Sequence, residues 1–139
     1  MFAVKYVSGL DKAFWFTLDN DLSESEFLLK IRDRRGYVIS DGDKPVGVMR
    51  YNLLWDTTPF LTFIYFVEAY RGKGFGGRAM LFWENEMREL GYKIVMTSTR
   101  VDEQAQHFYR KLEYKDRGGL FLDNTSLDQP QEMFMLKTL

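Results

Sequence analysis

Between residues 60 and 90 the chain runs from an apolar segment through a cluster of glycines into an amphipathic repeat, and this order constrains the fold more than any other feature. Residues 60–67 are aromatic, β-branched or apolar at nearly every position, the pattern of a central strand covered on both faces. Gly72, Gly74, Gly76 and Gly77 follow within six positions. Ala79, Phe82, Trp83, Met87 and Leu90 then fall at i, i+3, i+4, i+8 and i+11, one stripe of a helix. Gly91 stands where a C-terminal cap belongs. Strand, glycine turn and helix in this order begin an α/β crossover.

The flanking sequence supplies the other elements. Residues 3–7 read as a strand, and 10–18 as a helix that Asp11 can cap. Ser23-x-x-Glu26 is a capping box, and Phe27, Leu28 and Ile31 carry a second helix to about Arg35, with Gly36 ending it. Residues 37–39 and 46–54 read as an antiparallel hairpin around the turn 41–45, and 56–59 as a loop. After the glycine-led helix come a strand at 92–97, a helix capped by Asp102 with Ala105, Phe108, Tyr109 and Leu112 on one face, and strands near 114–122 and 132–138. The order β-α-α-β-β-β-α-β-α-β-β predicts a single α/β domain over residues 1–139, a mixed sheet with helices on both faces.

Composition narrows the function. The chain has no cysteine, which removes disulfides, zinc–thiolate sites and thiol nucleophiles. A net charge of -1 gives no basic excess for nucleic acid or an anionic membrane. Residues 1–8 lack a signal-peptide core, and no run approaches the roughly 18 apolar residues of a membrane helix. The expectation is a cytoplasmic protein, with a homodimer open as its assembly state. His107, the single histidine, lies off the apolar stripe of its helix, and no metal-ligand set surrounds it. No Gly-x-Ser-x-Gly elbow is present.

The glycine segment reads as an anion site. Successive backbone N–H groups at a helix N-terminus, favoured by the helix dipole, suit a diphosphate, and Arg71, Lys73 and Arg78 add positive charge. A Walker A loop is excluded, because no Gly-Lys-Ser/Thr stands at the required spacing. Gly72-x-Gly74-x-x-Gly77 does match the dinucleotide fingerprint. Against that reading, residues 68–71 separate the strand from the glycines, and Thr97 and Ser98 occupy the region about 20 residues on where a ribose-binding carboxylate belongs.

Two motifs together resemble the GCN5-related N-acetyltransferase (GNAT) family. The family's Arg/Gln-x-x-Gly-x-Gly/Ala loop stands as Arg71-Gly72-Lys73-Gly74-Phe75-Gly76. Its later helix signature stands as Asp102-x-x-Ala105-x-x-Phe108-Tyr109-x-Lys111-x-Glu113-Tyr114, with Asp102 in place of Asn and Glu113 in place of Gly. The resemblance implies a GNAT-like fold with a splayed strand pair, opening at about Phe66 and Val67, whose free backbone groups pair with the pantetheine arm of acetyl-CoA. It implies a pyrophosphate cradle from Arg71, Gly72, Lys73, Gly74, Phe75, Gly76, Gly77 and Arg78, and further cofactor contacts from Asp102 and Tyr109.

The resemblance makes Tyr109 the general acid for the departing thiolate; spacing alone also fits a core tyrosine. A phenol of reference pKa about 10 is close enough to a thiol's roughly 8.5 for proton transfer. Asp56, Glu68, Glu103 or a water relay could serve as base, with Asp56 the tentative choice. The expected activity is transfer of an acetyl group from acetyl-CoA, without a metal, to a primary amine of a small molecule or peptide. A non-catalytic CoA-binding domain and a dinucleotide oxidoreductase are the competing readings.

Overall fold

The computed structural model describes residues 1–139. In chain order it contains β1 (Phe2–Tyr6), a 3-10 turn (Gly9–Asp11), α1 (Lys12–Leu18), α2 (Glu24–Asp33), β2 (Gly36–Asp41), β3 (Lys44–Leu54) and β4 (Thr58–Phe66). A second 3-10 turn (Glu68–Tyr70), α3 (Phe75–Glu89), β5 (Ile94–Arg100), α4 (Ala105–Lys111), β6 (Lys115–Leu120) and β7 (Glu132–Thr138) complete it. The expected element order is the observed one. The strands form a seven-stranded sheet in the order β1-β2-β3-β4-β5-β7-β6. It is mixed: β1–β2, β2–β3, β5–β7 and β6–β7 are antiparallel, and β4–β5 is parallel. No helix is long and apolar enough to cross a membrane.

The chain divides into two compact units. The first comprises Met1–Asn52 and Thr62–Glu86. Its strands alternate, so neighbouring residues serve opposite faces. Val38 and Val48 are register partners and pack with Trp15 and Phe27 of α1 and α2. Tyr37 and Tyr51 turn the other way, stacking at 6.2 Å and meeting Phe82 and Trp83 of α3 at 6.2 and 5.7 Å. Trp15, Phe27 and Trp83 are fully buried, each stabilising the fold by about 1.5–3 kcal/mol.

The second unit comprises Leu53–Leu61 and Met87–Leu139. Val95, Thr97 and Thr99 point inward from β5, and Met135 of β7 pairs with Thr97 in register. Tyr109 and Tyr114 are buried with rings 5.8 Å apart. The turn from β3 to β4 is a two-residue type I′ turn, with φ of 54° at Trp55 and 62° at Asp56 and a 3.1 Å bond from Thr57 N to Leu54 O.

Several sequence-based expectations are corrected. The first helix begins at Lys12, and Asp11 offers α1 no side-chain cap, because its carboxylate accepts from the Ser8 N–H and closes the preceding 3-10 turn. Of the capping box at α2, the structure forms the bond from Glu26 N to Ser23 Oγ, at 3.2 Å. Gly36 does not end α2; Arg34 does, in the left-handed region at φ 56°. Gly36 opens β2 because its site is crowded: a Cβ would come within 2.8 Å of Val7 Cγ1. Thr58 and Pro59 belong to β4, which Pro tolerates near a strand's start. Tyr92 is not in a strand, because it closes a Schellman motif around Gly91 (φ 94°), with bonds from Tyr92 N to Met87 O and Gly91 N to Arg88 O.

The same motif ends α4, with Glu113 at φ 74° and bonds from Glu113 N to Arg110 O and Tyr114 N to Tyr109 O. A Cβ in this conformation costs about 1–2 kcal/mol. Glu113→Gly is therefore expected to stabilise the chain by about 1 kcal/mol, read as a higher midpoint in urea unfolding. An unchanged or lower midpoint would show that the Glu113 side chain repays the strain.

Candidate active site

In the first unit, β4 delivers the chain to the glycine loop. Val67 N–H donates to Val46 O at 2.9 Å, which locks the strand end to β3. Phe66 is nearly buried, and its ring lies over Gly47, where a Cβ would meet it at 2.4 Å. Gly47 thus belongs to the architecture of the strand end. Its sequence signal was an isolated glycine inside a strand, which marks close approach. Of the four residues before the glycines, Glu68–Tyr70 form the 3-10 turn and Arg71 follows it, with bonds from Tyr70 N to Val67 O and Arg71 N to Glu68 O.

Gly72 and Gly74 take φ values of 71° and 85°, which glycine adopts without a Cβ penalty. Nothing lies within 4 Å of where a Cβ would stand on Gly72, Gly74 or Gly77, so the loop presents bare backbone to open space. The first bond into α3 runs from Arg78 N to Gly74 O, at 3.2 Å. The N–H groups of Phe75, Gly76 and Gly77 therefore precede the helical ladder, and Gly74 has no side chain to cap them. Free amides, the positive end of a 15-residue helix and three exposed cations make a site for a diphosphate. Of those cations, Arg71 donates to Phe66 O at 3.1 Å and lies 4.5 Å from the Tyr65 ring.

The parallel ladder between β4 and β5 covers Phe60↔Met96 and Leu61↔Thr97 and goes no further. Nor is β4 covered on both faces, since Thr62 and Tyr65 are exposed. The Val67 N–H and the Phe66 carbonyl are not free, having Val46 O and Arg71 Nε as partners. Alternation along an extended strand turns the Phe66 N–H to the edge away from β3.

In the second unit, Tyr109 is buried on α4, and burial raises its phenol pKa. The Glu103 carboxylate raises it further, whereas a hydrogen bond with the Thr97 side chain acts in the opposite direction. Thr97 also donates from Oγ1 to Leu61 O at 3.0 Å, so it joins the last rung of the β4–β5 ladder to the phenol. Sequence reasoning missed this role, because Thr97 and Tyr109 are separated by a loop.

Asp102 does not cap α4. Arg100 takes its carboxylate in a two-pronged grip, at 3.1 Å from Nε and 2.9 Å from Nη2, and holds its pKa below the ordinary carboxylate range. Gln104 stands at the N-cap position, without a capping side chain. Asp56 is an exposed carboxylate in the I′ turn with no hydrogen-bond or ion-pair partner. Glu68 lies in the 3-10 turn before the loop. Of the three carboxylates considered as base, Glu103 is the one whose charge acts on Tyr109. No group of three or more His, Asp or Glu side chains is gathered as a metal site.

The sequence model of the acetyltransferase (GNAT) family matches residues 5–114, which include both the loop and α4. The chain belongs to the GNAT family. Solved structures share its fold. Ard1 from Thermoplasma volcanium superposes with a TM-score of 0.86 at 17% identity, over 99% of this chain and 97% of that one. Arabidopsis thaliana Naa50, in complex with the bisubstrate analogue CoA-Ac-MVNAL, gives 0.81 at 11% identity, over 99% of both chains. A Bacillus subtilis acetyltransferase in complex with CoA gives 0.79 at 16% identity, over 100% and 99%. No curated protein matches the sequence. GNAT membership and the antiparallel hairpins of this sheet set aside the doubly wound dinucleotide fold that the glycine spacing also matched.

Proposed function

We propose that this GNAT protein is an acetyl-CoA-dependent N-acetyltransferase, its 139 residues acting as one catalytic domain on a primary amine of a peptide or small molecule. The observation that carries the proposal is the N-terminus of α3, where three amides lie ahead of the helical ladder beside two positive-φ glycines and open space. The diphosphate of the acyl donor would rest on the amides of Phe75, Gly76 and Gly77, with charge from Arg71, Lys73 and Arg78. The Phe66 N–H would meet the thioester oxygen, while Val67 holds the strand end to Val46.

In the reaction the amine nitrogen attacks the thioester carbonyl and forms a tetrahedral intermediate. Collapse breaks the carbon–sulfur bond. The thiolate takes the Tyr109 proton, which the raised pKa keeps in place through neutral and moderately alkaline pH. The proton lost by the amine would pass to Glu103, directly or through water; its charge acts on Tyr109, which supports it over Asp56, and it also pairs with Arg100 at 3.6 Å. Asp102 is tied to Arg100 and would serve the CoA site by shaping the turn before α4. Naa50 was solved with CoA-Ac-MVNAL, which supports placing peptide amines first among acceptors.

The test combines thermal unfolding with turnover. CoA is expected to raise the melting temperature and NAD(P) to leave it unchanged, since a ligand stabilises the state it binds. Acetyl-CoA with a panel of peptide and small-molecule amines is expected to release free thiol in an amine-dependent manner. Stabilisation by NAD(P) alone would overturn the donor assignment. CoA stabilisation without thiol release would leave a non-catalytic CoA-binding domain.

A further inference from the structure

Arg78 stands in the first turn of α3, where the helix dipole disfavours a cation. Its side chain, like every helical side chain, leans toward the N-terminus, which is the end carrying the amides of Phe75, Gly76 and Gly77. A cation placed against the dipole needs compensation, and two aromatic rings supply it. The guanidinium carbon lies 4.3 Å from the Phe2 ring centroid and 5.9 Å from that of Phe75. The rings themselves meet edge to face at 5.6 Å.

The cluster is anchored on both sides. Phe75 packs edge to face against Tyr70 at 5.3 Å. The Tyr70 hydroxyl donates to Asp41 Oδ2 at 2.8 Å. Asp41 is in turn the register partner of Phe2 across the β1–β2 ladder. The links from Phe2 through Phe75, Tyr70 and Asp41 thus close a ring beside the glycine loop, which Tyr70 and Phe75 flank. Within it, Phe2 presents an aromatic face to Arg78.

We propose that Phe2 is a positioning residue for donor recognition: it holds the Arg78 guanidinium at the mouth of the α3 N-terminus, where it pairs with an anionic group of the bound acyl-CoA. This rests on the acyl-CoA reading above and adds to it a residue of β1, far in sequence from both family motifs. An exposed cation–π contact is worth about 0.5–1 kcal/mol, so its loss should weaken binding about two- to fivefold.

The test is a double-mutant cycle on CoA binding by calorimetry, with thermal unfolding of each variant as the check on folding. Phe2→Leu keeps an apolar side chain and removes the π face; it is expected to weaken CoA binding about two- to fivefold. Phe2→Tyr is expected to bind as the parent does. In an Arg78→Ala background, Phe2→Leu should have no further effect, because the residue through which Phe2 acts is gone. In turnover, Phe2→Leu should raise the acetyl-CoA KM and leave kcat unchanged. Equal losses from Phe2→Leu with and without Arg78, or parental binding by Phe2→Leu, would overturn the proposal while leaving the acyl-CoA reading intact. Failure of the parent chain to bind CoA would overturn both.

Discussion

Tyr109→Phe is expected to lower kcat about 100-fold or more while leaving CoA affinity within about twofold of the parent, since a positioned general acid contributes roughly 10²–10⁴-fold. The substitution removes one oxygen and keeps the ring that packs against Phe108 and Tyr114. Its cost to stability is therefore confined to a buried hydrogen bond with Thr97, about 1 kcal/mol. The pH profile carries the diagnostic signature. Burial and Glu103 raise the phenol pKa, so the acid form persists below it and is lost only as pH climbs through that raised value. The parent should therefore show no alkaline fall in kcat from this group until pH passes above the ordinary phenol range. An alkaline limb due to Tyr109 should vanish in Tyr109→Phe. Unchanged turnover in the variant would remove Tyr109 as the acid and transfer the proton to solvent.

The largest effect on stability is expected at Asp19, a fully buried carboxylate in the first unit. It accepts from Trp15 Nε1 at 3.1 Å, from Arg50 Nε at 2.8 Å, and from the backbone N–H groups of Asp21 and Leu22 at 3.2 and 3.3 Å. Arg50 goes on to donate to Thr62 Oγ1 on β4 and lies 5.0 Å from the Phe63 ring. The cluster joins the end of α1 to β3 and β4. Asp19→Ala leaves the Arg50 charge, 11% exposed, without its partner, and breaking a buried pair from one side costs about 3–5 kcal/mol. The expected readout is a fall of that size in unfolding free energy from urea titration. A loss below about 1 kcal/mol would mean that water or a neighbouring group replaces the carboxylate.

The elements that announced themselves in sequence are those whose cause is local. The glycines at 72 and 74 mark positive φ, Gly91 marks a helix stop, and Ala79, Trp83 and Met87 of the α3 stripe are buried, whereas its Phe82 and Leu90 are 39% and 61% exposed. Tyr109 was singled out through its motif, and it lies buried on α4. What escaped was set by partners far along the chain. Asp19 reads as a polar residue after a helix until Arg50 arrives from β3. Arg34 ends α2 in a left-handed conformation that favours glycine, two residues before the glycine itself. Asp102 had the chemistry of a cap, and Arg100, two residues away, claimed it. The extent of the β4–β5 ladder depends on register, so its last rung at Leu61 and Thr97 could not be read from composition. Phe2 gave no signal, because its contacts with Phe75 and Arg78 exist only once β1 lies beside the start of α3.

The central claim is that the bare amides at the start of α3 hold an acyl-CoA whose acetyl group passes to an amine. The most direct measurement is mass spectrometry of an amine panel incubated with the purified chain and isotopically labelled acetyl-CoA, alongside a Gly74→Val variant. A side chain at φ 85° strains the loop and closes the space above it. The account predicts a labelled acetyl group on at least one amine, with stoichiometric free thiol, and loss of both in the variant. Labelled product formed equally by Gly74→Val, or CoA bound by the parent with no amine acetylated, would contradict it.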